Sequence, residues 1–140
     1  MPTSTTPARQ RQTGADGTPQ SLGALELATI GGLASMIAIH VSELSGKVDE
    51  VAYLGFGYLA LSVAGLLAIV MIATGDRRGW SLAGATAGST LVGYVLTRTT
   101  GLPGSHDDVG NWGEALAVWA MVSELAVCAL AATALNRRRT

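Results

Sequence analysis

Glu124 is the residue of this chain best placed to do chemistry, because it is a carboxylate near the middle of the hydrophobic run from Ala115 to Leu135. At 1.5 Å per helical residue it lies about 15 Å into that run, which is half of a roughly 30 Å hydrocarbon core. An ionised carboxylate at that depth costs about 3 kcal/mol or more, so desolvation favours the neutral form. We expect Glu124 to be protonated, and the small residues at helical spacing around it predict that it faces protein.

Two roles fit such a group. In the first, a neutral Glu124 packs and forms a hydrogen bond with a hydroxyl at similar depth, for which the candidates are Ser35, Ser62 and Ser89. In the second, Glu124 handles protons or an ion. No basic residue is expected to reach it, since Arg98 ends the third hydrophobic run and His40 lies about 6 Å from the end of the first. The packing role is preferred, and proton or ion handling is the alternative.

A second polar cluster is predicted at one face of the membrane. His40 and Glu43 share a helix face at i and i+3, and a later loop contributes His106 and Asp107. Imidazole and carboxylate ligands together suit Zn, Mn or Fe, so these four residues are a candidate metal site. No H-E-x-x-H spacing is present, and Lys47 stands near the acids and repels a cation. We therefore expect no metal and no other cofactor.

Arg98 and Glu114 complete this expected rim. Arg98 ends the third helix, where the helix dipole favours a cation. A guanidinium without a partner beside hydrocarbon would be costly, so we expect Arg98 to pair with Glu114 or Glu43. The segment from Gly101 to Gly104, with the sequence GLPG, predicts a turn that shapes the following loop.

Four helices must position these residues. The predicted membrane spans are 22–44, 51–74, 80–97 and 115–135. The second is uncharged and exceeds the roughly 20 residues needed to cross a bilayer, and Glu26 and Glu124 are the acids placed within spans. Only 14% of residues are charged and the mean hydropathy is +0.38, in agreement with a membrane protein, and four spans with their loops leave no room in 140 residues for a separate soluble domain. The fold class is all-α, a four-transmembrane-helix bundle over residues 22–135.

Small residues predict close packing between these helices. Gly84 and Gly88 form a G-x-x-x-G spacing in the third helix, and Gly55 and Gly57 interrupt the second. Cys128 is the only cysteine, so it forms no internal disulfide and provides no C-x-x-C redox site. No phosphate-binding loop, nucleophile elbow or haem-attachment motif is present, and we expect that the protein is not an enzyme.

Basic residues predict the orientation. If both termini are cytoplasmic, all of the nine Lys and Arg residues except Lys47 and Arg98 lie inside, as the positive-inside rule requires. Residues 1–21 are expected to form a disordered cytoplasmic tail, and residues 136–140 a basic one. A cleaved signal peptide is the alternative for the first segment, but the apolar run that follows exceeds the usual length of roughly 7 to 15 residues. The predicted location is the plasma membrane, crossed several times.

The segment Tyr94–Gly104, YVLTRTTGLPG, resembles a motif of small four-helix membrane proteins of actinobacteria. Further positions similar to that family are His40, Asp49-Glu50, Tyr53-Leu54-Gly55, Trp112, Glu114 and Glu124. The resemblance covers the chain from about His40 to Glu124. It implies the four-helix membrane fold and implies no activity.

Two positions depart from that family. Lys47 stands where many relatives have a second His before the acidic pair, and Ala115 stands where a Pro often follows the Glu that opens the last helix. The absence of that His weakens the metal interpretation.

Two functional classes follow. The preferred one is a non-enzymatic accessory or scaffold subunit, whose partners are the lipid bilayer and another membrane protein or further copies of the chain. The alternative is a small transporter or sensor for protons or a metal ion that uses Glu124 with the rim residues His40 and Glu43. Nothing in the charge pattern suggests binding to nucleic acid.

Overall fold

The chain forms four α-helices in a computed structural model that describes residues 22–137. They are α1 (Ala24–Glu50), α2 (Ala52–Ala73), α3 (Arg78–Thr99) and α4 (Ala115–Arg137). The all-α class is confirmed. The predicted disordered tail over 1–21, and residues 138–140 of the basic tail, lie outside the described residues.

Three of these helices, α1, α2 and α4, are long and apolar enough to cross a membrane. Their composition is compatible with a membrane protein. Although α3 matches α2 in length, at 22 residues, its richness in Gly, Ser and Thr lowers its hydropathy and it is not among the three. The predicted span over 80–97, and with it the four-span membrane bundle, remains a prediction.

The helices pack so that each has two main neighbours. α1 packs against α2 and α4, and α3 packs against the same two helices. A single residue, Val51, connects α1 to α2, and short connections of this kind make consecutive helices antiparallel. α1 and α3 therefore finish at the same end of the molecule, where residues 100–114 lead into α4. We call this the loop end.

The first helix is longer than the apolar pattern predicts. α1 ends at Glu50, not near Leu44, because its polar last turns continue as helix and are supported by the Lys47 Nζ to Glu50 Oε2 contact of 2.6 Å. Val51 then adopts an extended conformation, with φ −149° and ψ 111°, which ends the helix. The drop in hydropathy marks the end of the apolar run and not the end of the helix. As a result His40 lies about 15 Å from the end of α1.

The exposed and the buried surfaces of the helices differ in polarity. Large apolar side chains lie on the outside, with Phe56 71% and Val92 61% exposed. The interior contains Leu33, Met36 and Val127 together with many buried polar residues. Those buried polar residues are Thr29, His40, Ser62, Thr86, Thr90, Arg98, Ser105, Ser123 and Glu124. An apolar exterior around an interior that holds polar as well as apolar side chains is compatible with an outer surface covered by hydrocarbon.

Glycines allow close packing at some of the predicted positions only. A Cβ added to Gly84 would lie 3.4 Å from Ala131 Cβ, so α3 and α4 approach each other there, whereas one added to Gly88 would meet nothing within 4 Å. Likewise Gly55 packs directly on Val48 of α1, and Gly57 faces open space. In each pair only one glycine is needed for contact within the chain.

Candidate functional site

The loop end begins with the turn that the GLPG segment predicts. Leu102 and Ser105 exchange two backbone hydrogen bonds, each of 2.8 Å, and Gly104 has a φ of +80° that favours glycine. The Tyr53 hydroxyl donates to the Pro103 carbonyl at 2.8 Å, and Ser105 is buried and donates to the Glu50 carboxylate. These contacts hold the loop against α1 and α2.

Arg98 is the centre of an ion-pair network at this end. Its side chain is only 5% exposed, and its two terminal nitrogens lie 2.5 Å from Asp108 Oδ1 and 2.9 Å from Glu114 Oε2. The guanidinium also lies 5.3 Å from the centre of the Tyr94 ring. The predicted pairing with Glu114 is confirmed. Asp108, the closer partner, was not predicted to pair with Arg98, because loop residues cannot be assigned a partner from helical spacing.

Asp108 joins two cations. In addition to the pair with Arg98, Asp108 Oδ2 lies 3.4 Å from Lys47 Nζ, and this second ion pair ties the loop to α1. Partial burial acts to raise the pKa of Asp108, but the hydrogen bond and charge of Arg98 and the charge of Lys47 outweigh it and hold the pKa below its ordinary value. The carboxylate is therefore ionised as part of the network.

His40 and Glu124 come together in the interior, contrary to the expectation that no basic residue reaches Glu124. His40 Nε2 lies 3.9 Å from Glu124 Oε1, and the two side chains are 10% and 3% exposed. The cause is the extra length of α1, which places His40 at about the same depth below the loop end as Glu124, about 14 Å from the start of α4. The prediction that Glu124 faces protein is confirmed.

The other ring nitrogen of His40 fixes the tautomer. Nδ1 lies 2.8 Å from the backbone carbonyl of Met36, and a carbonyl can only accept, so Nδ1 carries a hydrogen. In neutral His40 the nitrogen facing Glu124 is then a proton acceptor. The Tyr58 ring packs edge-on against the imidazole, with 4.8 Å between ring centres. In neutral His40, the ring nitrogen without a hydrogen thus faces Glu124, at a distance longer than a hydrogen bond.

Glu124 has few other partners. Its Oε2 atom is buried and takes part in no hydrogen bond with any residue from 22 to 137. The predicted hydroxyls are committed elsewhere, since Ser62 and Ser89 donate to the carbonyls of Tyr58 and Thr86. Ser35 interacts with Ser123 and accepts from the Trp119 indole. The expectation that one of those three serines binds Glu124 is therefore wrong.

Thr90 of α3 is the hydroxyl residue beside the Glu124 carboxyl. Its own hydrogen is directed to the Ala87 carbonyl at 2.8 Å, so it offers Glu124 an acceptor more readily than a donor. A protonated Glu124 can use that acceptor, whereas Thr90 can donate to an ionised Glu124 only by giving up its bond to Ala87.

A cavity of about 310 Å³ connects the two polar groups. It runs from the ion-pair network at the loop end down to the His40 and Glu124 pair, and all four helices line it. Glu43, which has no ion-pair partner within residues 22–137, also lines it. A space of this size suits a small molecule.

The candidate metal ligands are not brought together. His106 and Asp107 are exposed on the loop, whereas His40 is buried between helices. Within residues 22–137, no three His, Cys, Asp or Glu side chains are grouped so that they could hold a metal ion. Glu26 lies in the first turn of α1, at the end opposite the loop end, and takes no part in the cavity.

Two tyrosines of the site escaped the sequence reasoning. Tyr58 and Tyr94 line the cavity beside His40 and Arg98. Helical spacing offered a signal for Tyr58, because Leu54 and Leu61, at i−4 and i+3, share its face and also line the cavity.

Comparison of the chain with protein-family models, curated proteins and solved structures gives no match.

Proposed function

We propose that the chain is a plasma-membrane protein that binds a small ligand in the cavity and exchanges a proton at the His40 and Glu124 pair, as a small transporter or sensor. The observation that supports this is the state of Glu124. Its carboxyl is buried and lines the cavity, one oxygen has no hydrogen-bond partner in the described part of the chain, and His40 Nε2 lies 3.9 Å from the other. A polar group left incompletely bonded in an apolar interior reduces stability, so its presence there favours a functional role.

The geometry also supports a route for the proton. The cavity is lined both by charged residues of the loop end and by the pair, and Nε2 is the atom of neutral His40 that can accept a proton from Glu124. A proton can pass between the two groups once the 3.9 Å between Nε2 and Oε1 shortens to a hydrogen bond or a water molecule bridges it. Its exchange with bulk water passes the ionised residues Lys47, Asp108 and Arg98.

The proposal includes an orientation. With all four helices in the membrane, the loop end faces outward and both termini lie in the cytoplasm, because Arg77, Arg78 and Arg137 are at the opposite end. We also propose kinship with the small four-helix membrane proteins of actinobacteria that the YVLTRTTGLPG segment resembles.

A non-enzymatic accessory or scaffold subunit is the second candidate. The outer face of α2 favours it, because Phe56, Val63 and Leu67 are each more than half exposed and form a surface that suits a partner helix as well as lipid. Purification in mild detergent followed by mass spectrometry tests this candidate. A second protein in stoichiometric amount would support it, and a chain that purifies alone would not.

Carbodiimide labelling tests the leading proposal. A hydrophobic carbodiimide reacts with protonated carboxyl groups in apolar sites, and peptide mass spectrometry locates the product. We expect modification of Glu124 that decreases as the pH is raised, and none of the exposed Glu114. Absence of labelling at Glu124 at every pH would count against a protonatable group in the cavity.

A further inference from the structure

The charges that line the cavity indicate the class of ligand. Two permanent cations line it, Lys47 and Arg98, and four carboxyl residues line it, Glu43, Asp108, Glu114 and Glu124. Both cations are already engaged: Arg98 by Asp108 and Glu114, and Lys47 by Glu50 and Asp108. Glu43 and Glu124 are left with no partner of permanent positive charge among residues 22–137. The lining therefore has a surplus of one negative charge when Glu124 is protonated, and of two when it is ionised.

The buried carboxyl of Glu124 indicates the charge of the ligand. Its side chain is 3% exposed, it lines the cavity, and Oε2 forms no hydrogen bond among the residues that the structure describes. An ionised carboxylate in such a place requires a cation beside it. The titratable and charged groups facing it are His40 from α1, Tyr58 from α2, Tyr94 and Arg98 from α3, and Cys128 from its own helix. Of these, only Arg98 is permanently charged, and it is held at the loop end.

The walls favour an organic cation over a metal ion. Ile39, Leu61 and Leu116 give the cavity apolar sides, and the Tyr58 ring borders it beside His40. Aromatic faces and apolar walls suit a substituted ammonium group, whereas a metal ion needs several converging ligands, which residues 22–137 do not provide.

We propose that the cavity binds a lipophilic organic cation, such as a substituted ammonium ion, whose charge is neutralised by Glu124. This inference rests on the proposed function, since it names the ligand of the same site. When the cation binds, the O–H bond of protonated Glu124 breaks, the proton leaves to water, and the carboxylate pairs with the cation. One positive charge enters and one leaves, so the interior keeps its net charge.

Calorimetry on the detergent-solubilised full chain tests the exchange. The probe is benzyltrimethylammonium, and titrations in two buffers of different ionisation enthalpy count the protons released. We expect release of about one proton per cation, and an affinity that rises about tenfold per pH unit while Glu124 remains protonated in the unliganded protein. Neopentylbenzene, the neutral isostere, should bind with no proton release and no dependence on pH.

Two variants make the assignment specific. E124Q should abolish binding of benzyltrimethylammonium, and E26Q, the same substitution at the opposite end of the molecule, should leave it unchanged. If E124Q does not fold, E124D replaces it, and should bind more weakly while still releasing a proton. Equal binding of the cation and its neutral isostere, or cation binding that E124Q retains, would overturn the proposal.

Two further outcomes separate this inference from the proposed function. Phenylmethanesulfonate tests the rival hypothesis that the cavity binds an anion through Arg98 Nε, which has no hydrogen-bond partner within residues 22–137. Tighter binding of this probe than of benzyltrimethylammonium would refute the proposal that the ligand is a cation. If benzyltrimethylammonium neither binds nor protects Glu124 from carbodiimide while labelling of Glu124 persists, the cation inference fails and the proton site stands. If labelling fails as well, both fail.

Discussion

Among residues 22–137, Glu124 is paired with a histidine and with no permanent cation, and this sets how it should respond to substitution. Glutamine keeps the shape and polar character of the side chain, whereas lysine brings a buried positive charge next to His40. We expect E124Q to be tolerated and E124K to destabilise the protein by about 3 kcal/mol or more. Thermal unfolding in detergent measures the difference. Equal damage from both substitutions would mean that Glu124 is ionised and paired with a protonated His40.

Arg98 gives a second comparison at the residue scale. Arg98 is buried, and its removal would leave Glu114 without this partner and Asp108 with Lys47 alone, so we expect R98A to cost about 2 to 3 kcal/mol. His106 is exposed, and H106A should change stability by less than about 0.5 kcal/mol. Chemical or thermal unfolding of the two variants compares them. A loss for H106A as large as that for R98A would refute this assignment of the network.

At the residue scale, the sequence predicted the burial of polar side chains better than it predicted the contacts between them. The burial of Glu124 and the Arg98 to Glu114 pair followed from depth and helix position. The contact between His40 and Glu124 was not predicted. The predicted end of α1 was too early by a few residues, so the predicted depth of His40 was wrong by several ångströms along the helix axis. Depth arguments depend on helix ends, which hydropathy locates poorly.

Close packing of α1 on α2 gives a prediction at the scale of the elements. A Cβ on Gly55 would clash with Val48, including its Cα atom at 3.0 Å, so a side-chain rotation cannot relieve it. We expect G55A to destabilise by about 1 to 3 kcal/mol. G57A is the matched control, because its Cβ meets nothing within 4 Å and alanine favours a helix. Thermal unfolding that ranks G57A as the more damaging change would contradict this packing.

The loop from 100 to 114 should respond to pH through Asp108. Its pKa is held below the ordinary value in the folded protein, so the unfolded chain binds the proton more readily. The contribution to stability is therefore complete above the ordinary pKa of an aspartate and is lost as the pH falls through the lowered pKa. Unfolding temperatures across pH should show D108N less stable than the natural chain at neutral pH, with the difference shrinking in acid.

The neighbouring exposed residue supplies the control for that experiment. D107N changes the same charge on the same loop, and we expect its difference from the natural chain to be small at every pH. If the D108N difference stayed constant from neutral to acidic pH, the ion pair would not be its cause.

At the scale of the whole molecule, the distribution of charge predicts the topology. In a background with Cys128→Ala, V109C on the exposed loop should react with a membrane-impermeant maleimide in intact cells. N136C, at the other end of α4, should react only after the cells are opened. Ser105 is a poor probe because it is buried against Glu50. Labelling of N136C alone in intact cells would reverse the orientation.

The presence of long apolar helices could be predicted from composition, but the cavity between them could not. Long apolar runs predict helices, and three of the four are apolar enough to span a membrane. The cavity depends on which faces of α1 and α4 meet, and on a loop folded back by the turn at Gly104. These are contacts between residues far apart in the chain, and one sequence contains no direct record of them.

The central claim is that Glu124 gains and loses a proton inside the cavity, and infrared difference spectroscopy tests it most directly. A protonated carboxyl group has a C=O stretching band distinct from that of a carboxylate. Titrating the purified protein from about pH 5 to about pH 9 should remove one such band, which should be absent in E124Q and unchanged in E26Q. A Glu124 band that does not change across this range, or no band that depends on Glu124, would contradict the account.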